Sequence, residues 1–276
     1  MAEITAATVK ELRDRTGLPM MDCKKALDEC DGDRDAAVQW LRERGAQVFS
    51  KRADRSTDFG RFGIAAGHDQ SVAAMVELKC ESAPVTQNEE FIQLAEDLAV
   101  SLAQSNAGSV DELLSQPSPS AEGVSLGEQK DELFNRTREV FNIGRMIRIE
   151  GTCGGYSHNS GTVAGVLLEV EGGNDEAARD ICMHIAAMRP EGLNPADIPA
   201  ESVEQEREVL RQAALQEGKP ENIVDKMVEG RLKNFFAGKV LTAQPFVKDD
   251  KLTVEEYAEA NGMKLKQFIN WEMGAE

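Results

Sequence analysis

A hairpin followed by a helix occurs twice in this chain, about 90 residues apart, and that repetition limits the possible folds more than any other feature. In the first copy, residues 62–68 lead through Asp69-Gln70 into residues 71–79. Val72, Ala74, Val76 and Leu78 alternate with Glu77 and Lys79, the pattern of a half-solvated antiparallel strand. A helix over 90–103 follows, with Phe91, Leu94, Ala95, Leu98 and Leu102 on one side. In the second copy, Ile149 opens a strand, 156–161 reads as a turn, and 163–170 is a strand. Gly172-Gly173-Asn174-Asp175 then precedes a helix over 177–188. The expected class is α+β, with a duplicated core of antiparallel strands and helices. Between the copies, 116–123 reads as a loop and 126–141 as a helix.

Residues 5–44 read as three short helices. Thr5 caps the first, whose apolar face is Ile4, Thr8, Val9 and Leu12, and Thr16-Gly17-Leu18-Pro19 ends it. The second, over 22–30, aligns Cys23, Ala26, Leu27 and Cys30 and stops at Asp31-Gly32. Asp33 caps the third, in which Ala36, Ala37, Val38, Trp40 and Leu41 are buried and Gly45 is the exit. Helices below about 12–15 residues are marginal alone, so these must pack on one another as a bundle. Met20 and Met21 fall in the turn after the first helix. Either they close the small core, or their adaptable thioethers form a contact surface for a partner. The basic tail Lys51-Arg52 with Arg55 reads as a solvated linker.

Past Pro190 the chain becomes strongly charged. Ser202 and Gln205 have capping-box spacing for a helix over 203–216, and Gly218-Lys219-Pro220 separates it from a second helix over 222–236. Together they predict an antiparallel helical hairpin that protrudes, because its first arm has little apolar surface. Thr253 and Glu256 form another capping box, and 265–273 reads as a last strand.

With 31 Lys plus Arg against 49 Asp plus Glu, the net charge is -18. Residues 1–55 carry eleven acids and eleven bases, so the whole excess falls on residues 56–276. Such acidity argues against direct nucleic-acid binding and anionic membranes, and for a protein partner. The 5 cysteines, Cys23, Cys30, Cys80, Cys153 and Cys182, are widely spaced without a CxxC, which fits neither a disulfide framework nor a zinc site. The beginning of the sequence has no signal-peptide pattern and no 18-residue apolar window occurs, so the expected location is the cytoplasm.

No active centre is legible. His68, His158 and His184 have no acid or nucleophile placed by sequence to orient them, so packing roles are favoured over general-base roles. The run Gly151-Thr152-Cys153-Gly154-Gly155-Tyr156 lacks both P-loop and dinucleotide spacing, and its glycines are expected to serve a tight hairpin. Cys153 is expected to be a small buried hydrophobe. These residues favour a binding protein over an enzyme, with no cofactor or metal of its own.

Several motifs then carry a resemblance. They are Thr16-Gly17-Leu18-Pro19-Met20-Met21-Asp22-Cys23-Lys24-Lys25-Ala26-Leu27, Asn142-Ile143-Gly144-Arg145-Met146-Ile147-Arg148, and Met183-His184-Ile185-Ala186-Ala187. The longest runs from Glu221 to Lys233 and continues through Phe235-Phe236 to Gln244-Pro245-Phe246-Val247-Lys248. In this order, over essentially the whole chain, the sequence resembles the bacterial elongation factor Ts family, the guanine-nucleotide exchange factors of elongation factor Tu. The resemblance implies a ubiquitin-associated-like three-helix domain (1–50), a linker (51–60), core subdomain N (61–145), core subdomain C (146–200 and 237–276) and a coiled-coil hairpin inserted in it (201–236). Homodimeric and 2:2 assemblies occur in the family and both remain open here.

The resemblance also implies partner contacts at Met20 and Met21 and, less directly, at His184. At the most informative spot the sequence departs from the family. Where most relatives carry Thr-Asp-Phe-Val, whose Asp-Phe pair wedges near the partner's magnesium site, this chain has Ser82-Ala83-Pro84-Val85. The carboxylate and the aromatic ring are both absent, so exchange is expected to rely more on other contacts. Binding or sequestration of elongation factor Tu with weak exchange is the alternative. Some relatives add a helix after the last strand; the sequence given ends at Met273-Gly274-Ala275-Glu276, and that contact is not expected.

Overall fold

Thr5 accepts the Thr8 N–H at 3.3 Å and Thr8 returns a bond to the Thr5 backbone, which fixes the start of α1 (Ala6–Thr16). Gly17, at φ 67°, ends it in the left-handed region that a glycine adopts without strain. The computed structural model describes residues 4–50, 52, 54–218 and 220–275. Lys51 of the basic tail, Lys219 of the hairpin turn and Glu276 lie outside the described residues.

Two helices complete the first module: α2 (Met20–Glu29) and α3 (Arg34–Ser50). Asp33 Oδ1 accepts the N–H groups of Asp35 and Ala36 at 3.0 Å and caps α3. Val9, Leu12, Leu18, Cys23, Ala26, Leu27, Ala37 and Leu41 form the buried cluster, joining all three helices. The expected exit at Gly45 is overturned, since α3 continues to Ser50. A Cβ on Gly45 would lie 2.0 Å from Asn135 Oδ1, so this glycine admits a neighbouring side chain and does not end the helix.

The chain continues through β1 (Phe59–Ala65), β2 (Val72–Cys80), a 3-10 turn (Ala83–Gln87), α4 (Glu89–Gln104), α5 (Val110–Leu114), α6 (Leu126–Thr137) and β3 (Phe141–Glu150). The three strands form one sheet in the order β1-β2-β3. Asn88 caps α4, whose predicted apolar side is entirely buried. The half-solvated expectation for β2 fails: Ala73, Met75 and Glu77 are as buried as Ala74, Val76 and Leu78. The predicted helix over 126–141 is also shorter. Arg138 turns left-handed at φ 60° and stops α6, and Phe141 begins β3 with its ring 5.4 Å from Phe91.

Next come β4 (Cys153–His158), β5 (Ala164–Gly172), α7 (Asp175–Met188), α8 (Ala200–Gln216), α9 (Glu221–Lys239), β6 (Pro245–Phe246), β7 (Asp249–Thr253), α10 (Val254–Ala260) and β8 (Met263–Glu272). Antiparallel strands in the order β4-β5-β8 form a second sheet. The second hairpin therefore begins at Cys153, since Ile149 belongs to β3. Gly154 and Gly155 lie inside β4 and not in a turn. A Cβ on Gly154 would stand 2.6 Å from Ala178 Cβ, and its absence lets α7 approach the sheet. The Thr253–Glu256 capping box forms, but Ser202 and Gln205 sit inside α8, which already starts after Pro199.

By its contacts the chain divides into two units. The first holds residues up to Gly63 with Val76–Ile147 and the segment from Met273; the second holds Ile64–Met75 and Arg148–Glu272. Within the second unit, α8 and α9 pack on each other through Ala214, Val224, Val228 and Leu232, a cluster separate from the main core around β5 and α7. Arg207–Glu229 and Arg211–Asp225 ion pairs cross between the arms, and Arg231 binds Glu217 at 2.9 Å. Among the described residues no helix is long and apolar enough to cross a membrane.

Candidate partner-binding site

Met20 and Met21 occupy the first turn of α2 and not the turn before it. They are 47% and 72% exposed, so they do not close the small core. Cys23, Ala26 and Leu27, on the opposite face, fill it instead. The methionines are thus two flexible thioether side chains in solvent, held by a rigid helix, an arrangement suited to an apolar partner surface.

The Ser82-Ala83-Pro84-Val85 segment opens the 3-10 turn after β2. Ser82 is the anchor: its N–H donates to Glu139 Oε2 at 3.1 Å and its hydroxyl to Glu139 Oε1 at 2.6 Å. Thr86 donates to Ala83 O at 2.7 Å, and Arg61 donates to Thr86 O at 3.1 Å. Ala83 and Pro84 are exposed at the tip. Pro84 fixes its own φ, so the tip is stiff, but no side chain there offers a charge or an aromatic ring.

Both features lie in the first unit and share one support. Arg138 Nη2 binds Asp22 Oδ2, beside the methionines, at 2.6 Å, while the adjacent Glu139 holds Ser82. Beside them, Val140 N–H and Arg55 donate to Glu81, each at 2.8 Å. Burial pushes the Glu81 carboxyl up, but these bonds and the Arg55 charge outweigh it and hold the group below its ordinary value. Sequence reading missed this support, because Asp22 and Arg138 are 116 residues apart.

His184 lies elsewhere, in α7 of the second unit, with no exposed surface. Its Nε2 faces Gln244 Oε1 at 2.9 Å and its Nδ1 receives the Val247 N–H at 3.3 Å. A backbone N–H can only donate, so Nδ1 accepts and Nε2 carries the proton: the ring is neutral. Burial lowers its pKa, with the Gln244 bond opposing only in part. His184 thereby fixes the segment that presents Val247, which is 48% exposed.

The other candidates have structural occupations. His68 Nδ1 lies 3.0 Å from Asp175 Oδ1 and its Nε2 3.1 Å from Gly172 O, clipping the β1–β2 hairpin tip to the start of α7. His158 Nδ1 is 3.0 Å from the Tyr156 hydroxyl. Cys153 is buried, and desolvation, assisted by Glu169, pushes its thiol up to about 12, far from a reactive thiolate.

A family model described as Elongation factor TS matches residues 84–275. Elongation factor Ts of Thioalkalivibrio sulfidiphilus (strain HL-EbGR7) is 40% identical over 275 residues, covering 98% of this chain and 92% of the relative. That of Thermobifida fusca (strain YX) is 39% identical over 279 residues, covering 99% of each. The chain therefore belongs to the elongation factor Ts family, the non-catalytic guanine-nucleotide exchange factors of elongation factor Tu.

Proposed function

We propose that this protein docks on elongation factor Tu through Met20 and Met21 and works its nucleotide site with the Ser82-Ala83-Pro84-Val85 turn, while His184 acts indirectly by holding the Val247 segment. The observation that carries this reading is the exposure of both methionines on a helix whose other face is fully packed. In the same reading the first module is a ubiquitin-associated-like domain, the core is duplicated, and the domains follow the boundaries expected from the sequence. The site of action is the cytoplasm.

Exchange requires only that the factor bind nucleotide-free elongation factor Tu more tightly than the GDP form. By linkage, it then weakens GDP affinity by the same factor. The physical route is loss of magnesium and phosphate stabilisation in the partner's site. Because Ala83 and Pro84 bring no carboxylate or aromatic ring, the turn acts as a stiff steric knob, and docking energy from the methionines carries more of the work.

Release of labelled GDP from elongation factor Tu, followed by stopped flow, tests the proposal. Acceleration by the native protein, strongly reduced in Met20→Ala/Met21→Ala, is the expected result. Tight binding without acceleration favours sequestration, the reading that the bare turn tip supports. Unimpaired exchange by the double variant would remove the methionines from the docking face.

A further inference from the structure

Between α6 and β3 the backbone makes a single left-handed step at Arg138, φ 60° and ψ 24°, with its N–H bound to Phe134 O at 2.7 Å. Glycine or asparagine suits that conformation better than arginine does, so the backbone gains nothing from the side chain. What the side chain does is pair with Asp22 on α2, each partner about one quarter exposed (26% and 26%). Arg52 closes the other side by donating to the Arg138 carbonyl. The next residue, Glu139, uses both carboxylate oxygens on Ser82, one for its N–H and one for its hydroxyl. Two consecutive residues thus grip the helix that bears the methionines and the root of the 82–85 turn.

We propose that Arg138 and Glu139 are positioning residues for nucleotide exchange, setting the spacing between the methionine patch and the turn so that both meet elongation factor Tu together. The inference rests on the docking reading given above. Neither residue touches the partner in this account; each acts through the group it holds. Arg138 governs docking, because its pair with Asp22 ties the packed α2, and with it the methionines, to the segment that holds the turn. Glu139 governs the step after docking, because a loosened Ser82 lets the turn yield when it presses on the partner. A bidentate carboxylate hold on a backbone N–H and a hydroxyl is the kind of charge-assisted bond that fixes such geometry.

The test is steady-state exchange on elongation factor Tu·GDP, with kcat and KM separated, alongside thermal unfolding of each variant. Arg138→Gly removes the side chain while suiting the left-handed backbone. It should raise KM about fivefold or more, with little change in kcat or thermal midpoint. Glu139→Ala should lower kcat by a similar factor with little change in KM. The charge-swapped pair Asp22→Arg/Arg138→Asp should recover a KM within about twofold of native, where either single change does not. If Arg138→Gly does not fold, the swap alone decides. Restored stability without restored KM overturns the proposal, as do native kcat and KM in both Arg138→Gly and Glu139→Ala. Native kinetics in those two variants together with a raised KM in Met21→Ala would reject the positioning roles and keep the docking face. Native kinetics in Met20→Ala/Met21→Ala would reject the docking face itself, and the proposal with it.

Discussion

Glu77 and Arg145 form a two-pronged ion pair on the β1-β2-β3 sheet: Arg145 Nη2 reaches Glu77 Oε1 at 2.9 Å, and its Nε and backbone N–H both reach Oε2 at 3.1 Å. The neighbouring glycine makes room, since a Cβ on Gly144 would lie 2.3 Å from Oε2. Burial pushes the Glu77 carboxyl up, but the Arg145 bonds and charge outweigh it, leaving the pKa below the ordinary 4.5. A depressed carboxylate pKa contributes stability that is complete above the unfolded value and is lost as pH falls through the folded one.

Removing Arg145 should strand the Glu77 carboxylate. Arg145→Ala is expected to cost about 2–4 kcal/mol at pH 7 in urea unfolding, with a smaller cost near pH 3, where Glu77 can take a proton. Gly144→Ala should also destabilise, by forcing the carboxylate aside. An Arg145→Ala midpoint equal to the native one at pH 7 would show the pair to be dispensable.

His184 should make stability fall in mild acid. Its folded pKa lies below the ordinary 6.5, because burial disfavours the charged ring. The unfolded chain therefore binds the proton first, and the stability present above about pH 6.5 declines as pH drops toward the folded value. Protonation of Nδ1 would also expel the Val247 N–H. Urea midpoints between pH 7.5 and 5.5 should drop less in His184→Gln than in the native protein; parallel profiles would contradict this.

On the helical hairpin the apolar seam should outweigh the ion pairs. Leu232 is 2% exposed, and Leu232→Ala is expected to cost about 2–4 kcal/mol. Arg207 and Glu229 are 39% and 61% exposed, and Glu229→Gln should cost no more than about 1 kcal/mol, shrinking further in 1 M salt. Circular dichroism during chemical unfolding reads both, and the reverse ranking would mean that charge holds the arms together.

The two faces of α2 should respond oppositely to truncation. Leu27 is fully buried and Leu27→Ala is expected to cost about 2–4 kcal/mol, whereas Met21→Ala should change stability by less than about 0.5 kcal/mol. Differential scanning calorimetry of both variants checks this, and a large loss in Met21→Ala would return that residue to the core.

Local rules read well from the sequence wherever a few adjacent residues decide the outcome. Thr5, Asp33 and Thr253 cap the helices expected of them, and Asp31-Gly32 stops α2. One local signal failed, the Ser202–Gln205 capping box, because α8 already starts after Pro199; the other failures came where a distant partner decided. Gly45 looks like a stop until Asn135 is seen against it, and Gly154 looks like a turn residue until Ala178 is. Glu77 looks like a solvent-facing residue until Arg145 covers it. In the candidate site, the methionines were conspicuous by type. Their exposure could not be read, because the same spacing also suits a core, and the Arg138–Glu139 support joins segments that only the fold brings together.

The 82–85 turn has separate root and tip: Ser82 is tied down by Glu139, whereas Ala83 and Pro84 stand free in solvent. Substitutions at the tip are therefore nearly invisible to folding. A charge or an aromatic ring could be placed at the tip without compensating changes elsewhere. If the turn works on the partner as proposed, the speed of nucleotide release can vary separately from the durability of the molecule, and exchanging the tip residues should alter rate without altering melting temperature.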